Sequence, residues 1–289
     1  MMDGDREVSC ADREKKVARH YGDKNLAASI LAKLESVGIS QEALQADDLA
    51  PFEELHIGGR QATKYLIERL MLKADHHVLD VGCGIGGAVR YIATTIGCRV
   101  TGIDLTPSFI QAAKTLTRAV GLDDRAFFDV GSALAMPYDE AQYDAVVSIH
   151  VAMNIADRVS LYREMSRVLK PGGIMGLFDI MRKTDGELIF PVPWADTPAI
   201  SHLVTAEEMV KLLNSAGMVV TEIEDRTDVA VDFFQKILTD TQSAESFPAP
   251  HIAMQDGNEK LRNTLANIEA GHIAPVLLLA TKAGVEHFE

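Results

Sequence analysis

The chain has 289 residues, 47% apolar and 24% charged, with 42 acids against 28 bases and a formal charge of −14. That length suits one large domain or two sharing a core, and the composition excludes long disorder and fibrous architecture. The acidity argues against nucleic acid or an anionic membrane surface as partner. No apolar run reaches membrane-spanning length, and the charged N-terminus lacks the core of a secretory signal.

Residues 11 to 75 read as helical: VARHYG, LAASILAKLESVG and ATKYLIERLML repeat apolar residues at spacings of three and four. Between them lies an acidic connector, QADDLAPFEELHIGGR, whose DDLAPFEE run reads as a solvated surface. From residue 76 strands and helices alternate. HVLDVG is a short apolar run ending in glycine, GGAVRYIATTIG is helical, and CRVTGIDL is β-branched and alternating. The next helix has Thr106 as N-cap, Pro107 at its first position and Gly121 beyond its end. AFFDVG and YDAVVSIH follow as strands, then a helix from near Asp157 that KPGG stops, then the buried strand IMGLFDIM. Residues 182–204 hold three prolines without periodicity and read as a lid. Thr205 and Glu208 have capping-box spacing. VVTEIED is a strand, residues 229–270 are helical, and HIAPVLLLATKA is the last strand. The expected fold is α/β: a mostly parallel sheet with helices on both faces and a helical N-terminal cap over residues 1–75. Residues 76–289 form the ligand-binding domain, with its site beyond the carboxyl ends of the strands.

The strongest local signal is VLDVGCGIGG, where Asp80, Gly82, Gly84 and Gly86 stand between a strand and a helix. Glycine is needed where a side chain would block the turn or keep a ligand from the backbone amides. Gly82, Gly84 and Gly87 also satisfy GxGxxG, with Asp104 as the strand-end acid, so the loop alone does not separate a nicotinamide cofactor from S-adenosylmethionine (SAM). Asp80 favours SAM, because a carboxylate there suits a cationic amine and not a pyrophosphate. The absence of Lys or Arg in the loop points the same way.

VLDVGCGIGG, VTGIDL, GSALAMPYDEAQYDAV and EMSRVLKPGG, in that order, resemble class I SAM-dependent methyltransferases. FEELHIGGRQAT, HVAMNIAD and FPVPWA are similar to the small-molecule group related to sarcosine/dimethylglycine N-methyltransferase. The resemblance implies a Rossmann-like, seven-stranded sheet with an antiparallel last strand. It also implies roles. Asp80 and the amides of Gly82, Gly84 and Gly86 would hold the aminocarboxyl part of SAM. Asp104 would take the ribose hydroxyls with Leu105 on the adenine, and Gly131, Ser132 and Ala133 would line the adenine edge. Ser132 replaces the aspartate of many relatives and offers a weaker neutral acceptor.

Methyl transfer needs alignment, exclusion of water and an unprotonated nucleophile more than a strong base. Tyr21 is a candidate to fold over the sulfonium, with a plain amphipathic-helix tyrosine as its rival. His56 and His150 are the candidate catalytic residues, His150 also as a cofactor contact; a capping and a packing histidine are the alternatives. Arg60, Asn154, Phe190 and Trp194 are candidates for binding the acceptor, and His202 is a weaker one. Cys83 reads as packing. The odd three cysteines lack metal-ligand spacing, so no metal is expected and a reducing cytoplasm is. The expected reaction is transfer of methyl from SAM to a small molecule, preferably an amine. The alternatives are C- or O-methylation of a quinol or aromatic metabolite, a non-catalytic SAM-binding module, and an NAD-dependent oxidoreductase. The expected partner is the small-molecule acceptor, with a second copy of the chain as the one candidate among proteins.

Overall fold

The computed structural model describes residues 25–54, 56–240 and 256–284. A helical lead-in comprises α1 (Leu26–Ser36), 3-10 turns at Gln41–Ala43 and Ala46–Leu49, the single-turn α2 (Ala50–Glu53) and α3 (Gly59–Arg69). The alternating part runs β1 (His77–Val81), α4 (Gly87–Thr95), β2 (Arg99–Asp104), α5 (Pro107–Ala119), β3 (Ala126–Val130), β4 (Tyr143–Ile149), α6 (Arg158–Val168) and β5 (Leu169–Arg182). After the lid come α7 (Ala206–Ser215), β6 (Met218–Asp225), α8 (Thr227–Asp240), α9 (Gly257–Glu269) and β7 (Ile273–Lys282).

The strands form one seven-stranded sheet in the order β3-β2-β1-β4-β5-β7-β6. β1, β2, β3, β4 and β5 pair in parallel, and β7 runs antiparallel between β5 and β6. The mostly parallel sheet with a reversed last strand is therefore the fold expected from the sequence. Side chains alternate across the sheet, so neighbouring residues of β1 serve different layers. Leu79 and Val81 pack with Leu161 and Met165 of α6 and Leu213 of α7. Val78 packs with Leu66 of α3, Val89 and Ile92 of α4, and Ile110 of α5. Covering both faces explains why the central strands read as continuous apolar runs, whereas edge strand β6, after the buried Met218, alternates exposed and half-buried residues.

Local signals are realised unevenly. Thr205 and Glu208 make the reciprocal capping box, and Asp157 caps α6 by accepting the Ser160 N–H at 3.0 Å. Thr106 precedes α5 in extended conformation, but its side chain makes no capping bond and is buried. KPGG already belongs to β5, which begins at Leu169 and turns through Gly172 at φ +75°. The lid is pinned to α9. Ile189 donates its N–H to Asn267 Oδ1 at 2.8 Å and accepts from Asn267 Nδ2 at 2.9 Å. Asn263 Nδ2 donates to the Pro191 carbonyl at 2.9 Å, and Lys260 Nζ lies 2.8 Å from Asp196.

Candidate active site

Parallel strands bring their carboxyl ends to one edge, and the candidate residues gather there. The turn after β1 folds back on β2: the N–H groups of Gly82 and Cys83 both donate to the Ile103 carbonyl, at 2.8 and 3.1 Å. Gly82, Gly84 and Gly86 all have positive φ, at +77°, +53° and +91°. A Cβ on Gly82 would lie 2.3 Å from Val151 Cγ2, whereas one on Gly84 would meet no atom within 4 Å. The first glycine thus permits close packing and the second leaves an opening.

Two carboxylates flank that opening. Asp104, ending β2, accepts the Gly84 N–H on one oxygen at 3.0 Å and the Thr106 N–H on the other at 2.8 Å. Burial raises its pKa against those bonds. Asp80 is 3% exposed and has no hydrogen-bond or ion-pair partner among the described residues. Burial, then the Asp104 and Glu54 charges, push its pKa to about 7. A buried anion without a countercharge is costly, and an ammonium group on the ligand would supply one. A pyrophosphate would be repelled. At the end of β3, Gly131 donates its N–H to the Asp104 carbonyl at 3.0 Å, and a Cβ there would collide with Ile103 Cδ1. Ser132 Oγ accepts the Leu134 N–H at 3.1 Å, and Ala133 packs against the core below. Leu105 is half-buried beside Asp104. The open glycine turn, the uncompensated Asp80 and the strand-end Asp104 fit the aminocarboxyl and ribose parts of SAM.

On the facing side the two histidines meet, with ring centroids 5.7 Å apart, and Phe178 of β5 lies against both. His150 follows β4 with φ +54°, an uncommon conformation for a histidine, and donates its N–H to the Phe178 carbonyl at 2.7 Å. Its Nε2 is buried without a hydrogen bond among the described residues. Burial, then the neighbouring His56, lower its pKa well below the usual histidine range, so the ring is neutral at pH 7. His56 differs, because both of its ring nitrogens are engaged. Nδ1 is 3.3 Å from the Ile57 carbonyl, and Nε2 is 3.1 Å from Thr63 Oγ1 and 3.4 Å from Glu54.

The connector is not the solvated surface expected of DDLAPFEE. Glu53 and Glu54 are buried, their side chains 1% and 2% exposed. Glu53 pairs with the fully buried Arg90, which also donates to the Ile85 carbonyl of the glycine turn at 2.6 Å, to Thr117 and to the Ala113 carbonyl. Arg60 lies between the two glutamates, with Nη2 3.3 Å from Glu53 and Nε 3.0 Å from Glu54, and over the Tyr91 ring. Its Nη2 and Nε thus face protein carboxylates, while Nη1 is buried without a hydrogen bond among the described residues. Burial pushes Glu54 up, but His56, Arg60 and Thr63 outweigh it and hold the carboxyl below its ordinary range. An arginine in GGAVRYIATT, a helix with no other charge, is the one signal the sequence offers for this network.

The remaining candidates lie further along the same edge. Asn154 Nδ2 reaches the Val151 carbonyl at 3.4 Å. Trp194 is 6% exposed and donates Nε1–H to Ser201 Oγ at 2.9 Å. It shares an apolar cluster with Phe190, Ile57 and Met153, residues adjacent in sequence or near to His56 and His150. Tyr21 and Cys10 lie outside the described residues. Cys83 is buried and free, consistent with packing. Among the described residues no group of three or more His, Cys, Asp or Glu is placed to hold a metal ion, and no helix is long and apolar enough to cross a membrane.

Residues 79–177 match the family described as "Methyltransferase domain". Phosphoethanolamine N-methyltransferase 1 of Zea mays is 31% identical over 228 residues, covering 78% of this chain and 45% of the relative. The chain spans about half the length of the first curated relatives it matches. Among solved structures, a protein assigned as a sarcosine dimethylglycine methyltransferase from Galdieria sulphuraria superposes with TM-score 0.67 at 22% identity, over 77% of this chain and 86% of that one. Geranyl diphosphate C-methyltransferase from Streptomyces coelicolor superposes with TM-score 0.69 at 16% identity, over 95% and 99%. Residues 79–177, which hold the glycine turn, Asp80 and Asp104, thus match a methyltransferase domain, and the sheet as a whole has the α/β fold of its structural neighbours.

Proposed function

We propose that the protein transfers a methyl group from SAM to a small-molecule acceptor, with an amine nitrogen as the preferred nucleophile. The observation that carries the cofactor reading is the buried Asp80 carboxylate, without a partner among the described residues, two positions ahead of an open glycine turn. When bound, SAM supplies an electrophilic methyl on a positively charged sulfur. Asp80 offers the charge that neutralises an ammonium, and the turn supplies amides for a carboxylate. Asp104 retains free lone pairs for the ribose hydroxyls after accepting two N–H bonds. Gly131, Ser132 and Ala133 line the base.

His150 orients the acceptor in this reading. Its imidazole is neutral and its buried Nε2 has no hydrogen-bond partner among the described residues, so it can accept a hydrogen bond from the N–H of an amine that arrives unprotonated, while the burial that lowers its pKa leaves it a weak base. His56, with both ring nitrogens engaged, holds the His150 ring in place and does not act as a base. Trp194 and Phe190 exclude water from the acceptor side. The chain's −14 charge favours a metabolite over a nucleic acid. Similarity to an N-methyltransferase supports nitrogen. C-methylation of an apolar acceptor is the second reading, favoured by the apolar cluster around Trp194.

Thermal-shift and calorimetric titration with SAM, S-adenosylhomocysteine and NAD tests the cofactor; stabilisation by NAD alone refutes it. Transfer of labelled methyl to sarcosine, dimethylglycine and phosphoethanolamine, against phenols, quinols and geranyl diphosphate, tests the nucleophile. Turnover confined to the second set overturns the preference for nitrogen.

A further inference from the structure

One buried charge pair lies outside the chemistry above. Asp179 of β5 and Arg158, the first residue of α6, are 4% and 5% exposed. Asp179 accepts the Ile180 N–H at 3.2 Å and is hydrogen-bonded by the backbone N–H groups of Ala152 and Met153, in the 3-10 turn that follows His150. Arg158 Nη1 is 3.8 Å from the Asp179 carboxylate and donates to Tyr162 Oη at 3.0 Å. Its Nη2 donates to the His202 carbonyl of the lid at 2.8 Å. The ring closes because the His202 N–H donates to the Met153 carbonyl at 2.9 Å. Two segments of irregular backbone, the turn carrying Asn154 and the lid carrying Trp194, are thus joined through one buried guanidinium and one carboxylate.

Apolar residues would fill the same volume but leave the Tyr162 hydroxyl and the His202 carbonyl without this donor. Buried ion pairs are commonly no more stabilising than well-packed hydrophobic replacements, and are retained where they fix one geometry. The geometry fixed here is the distance between His150 with its turn and the lid. We infer that Arg158 and Asp179 are positioning residues, which clasp the lid to the turn after β4 and thereby set the acceptor side of the site. The inference rests on the proposed methyl transfer for its functional half. The clasp itself does not depend on that reading.

The test uses the full chain and the double variant Arg158→Met/Asp179→Asn, which removes both charges and leaves neither buried alone. Hydrogen exchange in the double variant should accelerate at least about tenfold in the lid and in residues 151–155, and stay unchanged in α4 and α5. The affinity for S-adenosylhomocysteine should stay within about twofold of wild type. With whichever of sarcosine, dimethylglycine and phosphoethanolamine the wild type methylates, KM should rise by about tenfold or more, with a smaller fall in kcat. Arg158→Lys, which keeps the charge but not the fork, should lie between. Should the double variant not fold, Asp179→Asn alone carries the same measurements. Unchanged exchange in the lid overturns the clasp. An equal loss of cofactor and acceptor binding makes the pair merely structural and overturns the positioning role. Failure of the wild type to bind S-adenosylhomocysteine sinks the methyl-transfer reading, while the exchange result still decides the clasp.

Discussion

Replacing Asp80 with asparagine should raise the stability of the protein while weakening its hold on the cofactor. The carboxyl titrates near 7 in the folded chain against 3.8 for an ordinary aspartate. Between about pH 4 and pH 7 the native state therefore keeps a proton that the unfolded chain has lost. The wild type must lose stability as pH rises through that window, by about 4 kcal/mol in all, at 1.36 kcal/mol per unit. Asparagine removes the term but buries an amide whose N–H groups lack acceptors, which costs about 1–3 kcal/mol. The variant should thus be more stable by about 1–3 kcal/mol at about pH 8, and level or less stable at about pH 4. Asp179, raised to about 6 by burial, adds a slope of the same sign to both proteins, so their difference isolates Asp80. Urea unfolding across this pH range measures it, and calorimetry should show SAM binding weakened by about 100-fold, as for loss of one buried charge-assisted contact. A variant destabilised equally at both ends of the range, or one that binds SAM like the wild type, refutes the reasoning.

Ala at Gly82 should cost about 2 kcal/mol or more, since its Cβ meets Val151 at 2.3 Å and φ is +77°. Ala at Gly84, with no atom within 4 Å, should cost only about 1 kcal/mol of backbone strain yet still weaken SAM binding by filling the opening. Thermal unfolding with and without SAM separates the two, and matching behaviour would contradict the assigned turn. Asp104→Ala should weaken SAM binding by about 1–3 kcal/mol by calorimetry, through the ribose contact and the freed Gly84 N–H; unchanged affinity counts against the site. In a Cys10→Ser variant, Cys83 and Cys98 should resist iodoacetamide until the chain unfolds, because both are buried and burial raises both thiols, Cys98 to about 11. Rapid native labelling of Cys83 would show that the turn opens readily in solution.

The parts of the fold written in short-range chemistry are legible in the sequence. The strands announce themselves by apolar runs, the glycine turn by φ values that only glycine adopts readily, and α7 by its capping box. Asp80 and Asp104 stand out because strand–turn–helix spacing carries them to one edge. Glu53, Glu54, Arg158 and Asp179 do not, because Glu53 pairs with Arg90 37 residues on, Glu54 with Arg60 and Thr63 6 and 9 residues on, and Arg158 with Asp179 and His202 21 and 44 residues on, partners that no local periodicity links. DDLAPFEE reads as solvated since composition favours that for acids, and only Arg90 and Arg60 reverse it. Thr106 shows the converse error: the right residue type at a helix start is packed inward. The acceptor residues stay obscure because the lid is irregular backbone whose place is set by α9.

The buried Arg90 has a consequence for recombination. It ends in the middle of the sheet's own helical layer, yet its carboxylate partner is supplied by the lead-in segment ahead of β1. A cap exchanged with that of a relative lacking Glu53 would strand a guanidinium in a dry site, at about 3–5 kcal/mol. The same holds for a fragment that begins at β1. Cap and sheet therefore form one hereditary unit, and chimaeras that swap acceptor preference through the cap must carry the Glu53–Arg90 contact with them.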